Sequence, residues 1–377
     1  MDLGLNLEQK MLKKEARNFL ADKFPREYIE ELEAGEEGYS REIWEEMANL
    51  DWLALPFPEE YGGVGMGFLD LAILLEEMGR ACLPGPYFST VILGGLPICD
   101  VGSDKQKQEY LPKIVRGKAL FTLALTERNP TYDAAGIEVK ATPNEDGYVL
   151  NGSKLFVPDA HIADYMLVVA ETSAGREPEV GMTIFIVDAK SPGVNSTLLK
   201  TIAGDKLCEV AFNEVSVAGD SILGRLDCGW LDVQKIIQRA AVAKCCEMVG
   251  AMERMLEMTA NYAKHRVQYG RPIGTFQVIQ HYCANMLTDL DISRLTTYHA
   301  AWMLSEGYPC TKEVAIAKAL TSEACRRVAS LAHQIHGAIG FTKEHDLQLY
   351  SRRFKAAEVT FGDIDFHYGT IAREIGL

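Results

Sequence analysis

The chain lacks any apolar stretch long enough to cross a bilayer. No run approaches the roughly 18 to 20 uninterrupted apolar residues a membrane helix needs. The opening MDLGLNLEQK is acidic and polar where a secretory leader would be basic and then greasy. A cytoplasmic location and no membrane partner are the expectation. Positive charge is also scarce: 38 Lys and Arg stand against 53 Asp and Glu, a formal net charge of −15. Phosphate backbones are gripped by clustered Lys and Arg, so nucleic acid is not an expected partner. The nine cysteines lack ligand spacing, and the one close pair, Cys245 and Cys246, is adjacent within a helical pattern. They read as small buried hydrophobes in a reduced compartment, and no metal is expected. Low-complexity tracts are missing too. With 47% hydrophobic and 24% charged residues in 377, the chain can bury a large core and is long enough for more than one domain.

What is present falls into three regions. Asn6 and Gln9 read as a capping pair, after which Leu7, Met11, Leu12, Ala16, Phe19 and Leu20 recur at helical spacing. Further helices are expected over residues 41–50 and 68–80. Between them, PFPEEYGGVGMGFLD has neither the glycine order of a dinucleotide fingerprint nor that of a P-loop, and no strand pattern precedes it. It reads as a tight connection. From about Phe121, β-rich runs take over: GYVLNGSKLFV, YMLVVAE and MTIFIVDA, separated by the turn formers NEDG, EPEVG and KSPG, as in an antiparallel β domain. Helix returns near Gly229. Val242, Cys245, Val249, Met252, Leu256, Ala260 and Ala263 then alternate three and four apart, which marks a long bundle helix. The expected division is an N-terminal helical domain over 1–120, a middle β domain over 121–225 and a C-terminal helical bundle over 226–377.

Two strings hint at ligand chemistry. HRVQYGRPIGTFQ, residues 265–277, places Arg266 and Tyr269 on one face at a helix end; the guanidinium offers a fork of donors suited to phosphate and the ring a stacking surface. QIHGAIGF, residues 334–341, sets two glycines at the close of another helix, where bare backbone can approach a ligand or simply cap the helix.

Taken in order, these strings resemble the acyl-CoA dehydrogenase family over essentially the whole chain. PFPEEYGGVGMGFLDLAILLEEMGR is similar to its first-domain signature. LALTERNPTYDAAG resembles an altered T-E-P-G-x-G-S-D, and NGSKLFVPDAHIAD resembles N-G-x-K-x-W-I-T. YAKHRVQYGRPIGTFQ and QIHGAIGF correspond to two FAD-binding motifs. The resemblance implies an α+β fold with an N-terminal helical bundle, a middle antiparallel β domain and a C-terminal four-helix bundle. It implies FAD-dependent α,β-dehydrogenation of an acyl-CoA thioester, with electrons passed to an electron-transfer flavoprotein from a homo- or hetero-tetramer. By the same resemblance Arg266 holds the FAD pyrophosphate of a neighbouring subunit, with Gln268 and Tyr269 beside it and Gln277 in the same motif. Gln334, Ile335, His336, Gly337 and Ala338 contact the FAD adenosine end, and Asp365 is grouped with the flavin contacts. Phe156 takes the place of the tryptophan over the flavin ring, and Thr126 that of a threonine near its pyrimidine. There are two departures. Pro158 replaces a threonine whose hydroxyl bonds flavin N5, and Tyr132 replaces a serine.

The catalytic base is missing. KAAEVTFGDIDFH resembles K-I-x-x-I-Y-E-G-T-x-E-I-Q-R with the glycines coinciding at Gly362, so Phe361 falls on the glutamate, and a phenyl ring accepts no proton. The alternative site on the long helix of the third domain, ten residues before Gly250, is Ala240. Asp363, which replaces a flavin-bonding threonine, and Arg239, Glu247 and Asp100 are the polar groups left to weigh. A degenerate subunit of a hetero-oligomer acting on a bulky, cyclic or dicarboxylic acyl-CoA, and a flavin oxidase or monooxygenase on the same scaffold, are the other readings. In the first of these a sister chain supplies the base. The backbone N–H at 361 is expected to polarise the thioester oxygen, as in an oxyanion hole.

Overall fold

The computed structural model describes residues 4–129, 131–173 and 179–377. Pro130 of the altered TERNP string, and Glu177 and Pro178 of the EPEVG turn, lie outside the described residues. The first helices are α1 (Leu7–Lys23), α2 (Arg26–Ala34), α3 (Arg41–Asn49), α4 (Phe68–Arg80), α5 (Leu96–Val101) and α6 (Asp104–Val115). Strands β1 (Phe121–Ala124), β2 (Lys140–Pro143), β3 (Gly147–Pro158), β4 (Tyr165–Glu171), β5 (Met182–Asp188), β6 (Val194–Leu199), β7 (Leu207–Ala218) and β8 (Ile222–Leu223) follow. The chain ends with α7 (Trp230–His265), the short pair β9 (Val267–Gln268) and β10 (Arg271–Pro272), then α8 (Gln277–Ser305), α9 (Thr311–His336), α10 (Leu347–Val359) and α11 (Ile364–Glu374). These elements gather into two compact units: Met1–Glu30, Gly67–Leu83 and Ala241–Leu377 form one, Glu31–Met66 and Pro84–Ala240 the other.

The first unit is helical. Asn6 starts α1 with the expected capping box, its side chain accepting from Gln9 N at 2.8 Å while the Gln9 side chain accepts from Asn6 N at 3.1 Å. α1 packs on α4, α4 on α8, and α9 lies against α8, α10 and α11. α4 and α7 cross in backbone contact, because glycine stands on both sides. A Cβ on Gly250 would lie 1.7 Å from the Glu76 carbonyl, and one on Gly79 would lie 2.0 Å from that of Glu247. The expected stripe on α7 faces the core, but the buried face is wider than that. Ala241, Ala243, Cys246, Met248, Ala251 and Met255 are buried as well, since neighbours cover more than one side.

Two glutamates of α4, Glu76 and Glu77, are fully buried, which hydrophobic periodicity does not foretell. Lys13 Nζ lies 2.7 Å from Glu76 and Arg294 Nη2 3.1 Å, while the Tyr298 hydroxyl donates to Glu76 at 2.8 Å. Arg17 grips Glu77 with two bonds, at 2.7 and 2.8 Å. Burial pushes the Glu76 carboxyl up, but Arg294 and Lys13 outweigh it and hold it below the ordinary range. Glu76, Glu77 and Glu253 form a carboxylate cluster of metal-binding dimensions, yet its oxygens are already engaged by these cations, so it works as an ion-pair network.

In the second unit the strands order as β6-β7-β3-β2-β4-β5-β8. The expected antiparallel pairing holds for most neighbours. β1 instead runs parallel to β4, and β2 touches β4 through a parallel bridge between Lys140 and Glu171. The long excursion from β1 through the β2–β3 hairpin brings the chain back in the same direction, which a sequence of isolated strands does not reveal. The core of the sheet includes Val139, Leu150, Met166, Val168, Phe185, Val210 and Phe212.

Candidate functional site

In the second unit, the strings LALTERNPTYDAAG and NGSKLFVPDAHIAD are tied together by a buried ion pair. Lys154 Nζ, fully buried, donates to Glu127 Oε1 at 2.6 Å and to the Leu125 carbonyl at 3.1 Å. The Glu127 carboxylate also accepts the backbone N–H groups of Glu138 at 2.9 Å and Val139 at 3.1 Å. Burial lowers the Lys154 ammonium to about 8 against the pull of Glu127. Leu155 N donates to the Thr126 carbonyl at 2.8 Å, so Thr126 is anchored beside β3 with its side chain exposed. Between Lys154 and Val157 the β3–β7 register slips, and Phe156 takes φ +55 and stands 55% exposed. A bulge of this kind re-aims a side chain out of the sheet. Pro158 offers only a carbonyl, which accepts from the Thr122 hydroxyl at 2.5 Å. Asp159 follows at φ +53 and accepts from Ser89 Oγ at 2.6 Å. Asp100 and Arg239 form an ion pair.

In the first unit, α7 ends at His265 and the chain turns through the β9–β10 hairpin. Tyr269 at φ +52 and Gly270 at φ +77 occupy its two-residue turn, the backbone that fits strand twist. Arg266, Gln268 and Tyr269 are all exposed, Tyr269 at 93%. Gln277 opens α8 and is exposed as well. The segment 334–338 closes α9: Gln334, Gly337 and Ala338 are exposed, Ile335 and His336 buried. The two strings meet at their inner ends, where Tyr262 stacks on His336 with centroids 4.5 Å apart. His336 Nδ1 is bonded to the Ala332 carbonyl at 2.8 Å, and its Nε2 is buried with no hydrogen-bond partner among the described residues. Gly337 adopts φ +66, and a Cβ there would meet nothing within 4 Å.

The 360–363 turn joins α10 to α11 in the same unit. Phe361 sits at φ +58, half buried, and Gly362 at φ +99. A Cβ on Gly362 would fall 2.5 Å from His367 Nε2, so only glycine fits. Asp363 caps α11, its Oδ1 accepting from Phe366 N at 2.9 Å; Asp365 lies in the first turn. Glu247 is paired with Lys244 at 2.5 Å. Of the eight non-glycine residues with positive φ among those described, Phe156, Asp159, Tyr269 and Phe361 fall in strings singled out from the sequence. Such backbone costs on the order of 1–3 kcal/mol and persists where the surroundings enforce it, often at functional sites.

Sequence reasoning missed what holds this turn. Lys318 of α9, wholly buried, donates to the carbonyls of Ala357 at 3.0 Å, Glu358 at 3.0 Å and Gly362 at 2.9 Å. His367 Nε2 is bonded to the Phe361 carbonyl at 3.1 Å, while its Nδ1 is buried without a partner among the described residues. Burial, aided by the Lys318 charge, lowers the His367 imidazole to about 4. Burial also lowers His333, His336 and His345. An unfolded histidine titrates near about 6.5, so the unfolded chain takes up protons first. Stability present above that pH is therefore lost as pH falls from there toward 4. A thermal melting series over that window is expected to show the decline, with the His367→Gln variant declining less steeply.

Residues 6–118, 122–215 and 227–376 match the N-terminal, middle and C-terminal domains of acyl-CoA dehydrogenase. A probable acyl-CoA dehydrogenase, YngJ of Bacillus subtilis, is 32% identical over 380 residues, covering 100% of both chains. The solved butyryl-CoA dehydrogenase of Megasphaera elsdenii is similar with a TM-score of 0.93 at 28% identity, covering 100% of both chains. A chain of the ChsE4–ChsE5 complex of Mycobacterium tuberculosis gives a TM-score of 0.90 at 28% identity, over 100% of this chain and 99% of that one.

Proposed function

Because the chain belongs to the acyl-CoA dehydrogenase family, oxidoreductases acting on CH–CH bonds, we propose that it binds FAD and an acyl-CoA thioester and polarises the thioester, while another group removes the α-proton. The observation that carries this reading is Phe361: at the position that the resemblance gives to the family glutamate, an apolar side chain stands on left-handed backbone. FAD, when bound, accepts the hydride and holds the electron pair.

The residues present fit a dinucleotide flavin. Arg266 offers an exposed guanidinium at the base of the β9–β10 hairpin, suited to a pyrophosphate. Gln268 and Tyr269 follow it in the hairpin, Gln277 opens α8, and the turn at Gly337 offers bare backbone beside Gln334 and Ala338. Phe156 presents an aromatic face turned out by its bulge, with Thr126 anchored nearby along β3. Pro158 brings no donor where the family has a hydroxyl, which retunes the flavin environment. The Phe361 amide donates to the thioester oxygen and so favours the enolate. Asp363 is committed to its cap, and Asp100 and Glu247 to Arg239 and Lys244. These commitments favour a sister chain as the source of the base, so the assembly is a hetero-tetramer, with this chain either catalytic only in that company or a non-catalytic partner. The substrate is a bulky, cyclic or dicarboxylic acyl-CoA, and an electron-transfer flavoprotein takes the electrons. The segments 1–120, 121–225 and 226–377 serve as its three domains.

Anaerobic addition of acyl-CoAs to the FAD-loaded chain, alone and with its co-purifying mate, tests this. Bleaching only in the mate's presence is the expected result. Bleaching by the chain alone would place a base within it, and rapid reoxidation by air with peroxide would make it an oxidase.

A further inference from the structure

We propose that Lys318 and His367 are positioning residues that clamp the 360–363 turn so that the Phe361 amide is aimed at the thioester oxygen, an inference that rests on the function proposed above. The C-terminus of α10 and the N-terminus of α11 are only a few residues apart, so the chain must reverse through Phe361 and Gly362 in left-handed backbone. Nothing in the turn's own sequence favours that at a phenylalanine, since a Cβ clashes with the following carbonyl. The enforcement comes from elsewhere. The last carbonyls of a helix have no partner within it. Here those of Ala357 and Glu358 receive the Lys318 ammonium, a cation placed where the helix dipole favours one. The same nitrogen holds the Gly362 carbonyl beyond the turn, and His367 holds that of Phe361. Consecutive carbonyls at 361 and 362 are thereby pinned from two elements, α9 and α11. The Phe361 N–H lies in the Thr360–Phe361 peptide; the Thr360 N–H, bonded to the Ala357 carbonyl at 3.3 Å, holds the peptide before it, and the His367 bond to the Phe361 carbonyl holds the peptide after it, so the N–H is bracketed from both sides.

Among the described residues the ammonium makes no ion pair. Its fourth neighbour is the Ser322 hydroxyl at 3.4 Å, and Lys318 is fully buried. A buried lysine is expensive unless its hydrogen bonds are met. Two carbonyls from the end of α10 and one from the turn meet them.

The test compares two probes that differ only at the carbonyl: hexanoyl-CoA and its thioether, S-hexyl-CoA, bound to the FAD-loaded full-length protein by calorimetry. An aimed amide bond makes the thioester bind roughly tenfold tighter, the scale of one net hydrogen bond. Lys318→Met is expected to bring that ratio close to one while S-hexyl-CoA affinity stays unchanged, a split that general loosening would not give. In flavin-free protein, amide exchange over residues 357–363 should rise at least tenfold. If Lys318→Met does not fold, His367→Leu, which removes only the bond to the Phe361 carbonyl, must lower the ratio. An unchanged ratio or unchanged exchange in a folded variant overturns the clamp and leaves acyl-CoA binding standing. Equal binding of both probes by the wild-type protein also overturns it, and binding of neither overturns the proposed function with it.

Discussion

Phe361→Glu is expected to raise the rate of anaerobic flavin bleaching by simple acyl-CoAs by about a hundredfold or more, the usual worth of a positioned general base. The substitution asks little of the backbone, because φ +58 already carries a Cβ at this position. Lys318 and His367 hold the flanking carbonyls in either variant. The side chain is half buried, so a carboxylate there keeps access to water in the free protein. Stopped-flow absorbance on the FAD-loaded chain, without any partner, reads the result. A variant that binds acyl-CoA tightly yet shows no bleaching would mean that the thioester docks elsewhere.

The second large effect concerns the Glu127–Lys154 pair. Glu127→Ala leaves a fully buried ammonium with one carbonyl partner and removes the acceptor of two backbone N–H groups. Breaking one side of such a pair costs about 3–5 kcal/mol, whereas replacing both members by apolar groups of similar volume is close to neutral. Urea unfolding followed by fluorescence should therefore show a large loss for Glu127→Ala and a much smaller one for the Glu127→Leu, Lys154→Met double variant. Equal losses would assign the effect to the backbone bonds alone.

Much of this molecule was legible because local chemistry decides it. The α1 capping box, the breaks around Gly270 and Gly337, and the strands GYVLNGSKLFV, YMLVVAE and MTIFIVDA all follow from residues adjacent in the chain. The site strings were found by their order and by resemblance. What stayed hidden depends on partners distant in sequence. Glu76 and Glu77 look like a solvent face until Lys13, Arg17 and Arg294 arrive from other helices. Lys318, set among Ala315, Ala317 and Ala319, looks like an ordinary exposed lysine on an alanine-rich helix, yet its partners lie 39 to 44 residues on. The parallel β1–β4 pair joins strands separated by the β2–β3 hairpin. Asp363 could be weighed as a base from sequence, but its cap to Phe366 N shows only in three dimensions.

The proposed FAD site depends on the guanidinium of Arg266 and the turn at Gly337. Equilibrium dialysis of the purified oligomer, together with its co-purifying mate, against FAD measures this directly. One tightly held FAD per site is expected, with a loss of at least tenfold in affinity for Arg266→Ala, the scale of a charge-assisted phosphate contact. A colourless oligomer that takes up no FAD, or an Arg266→Ala variant that binds it unchanged, would contradict the proposed site.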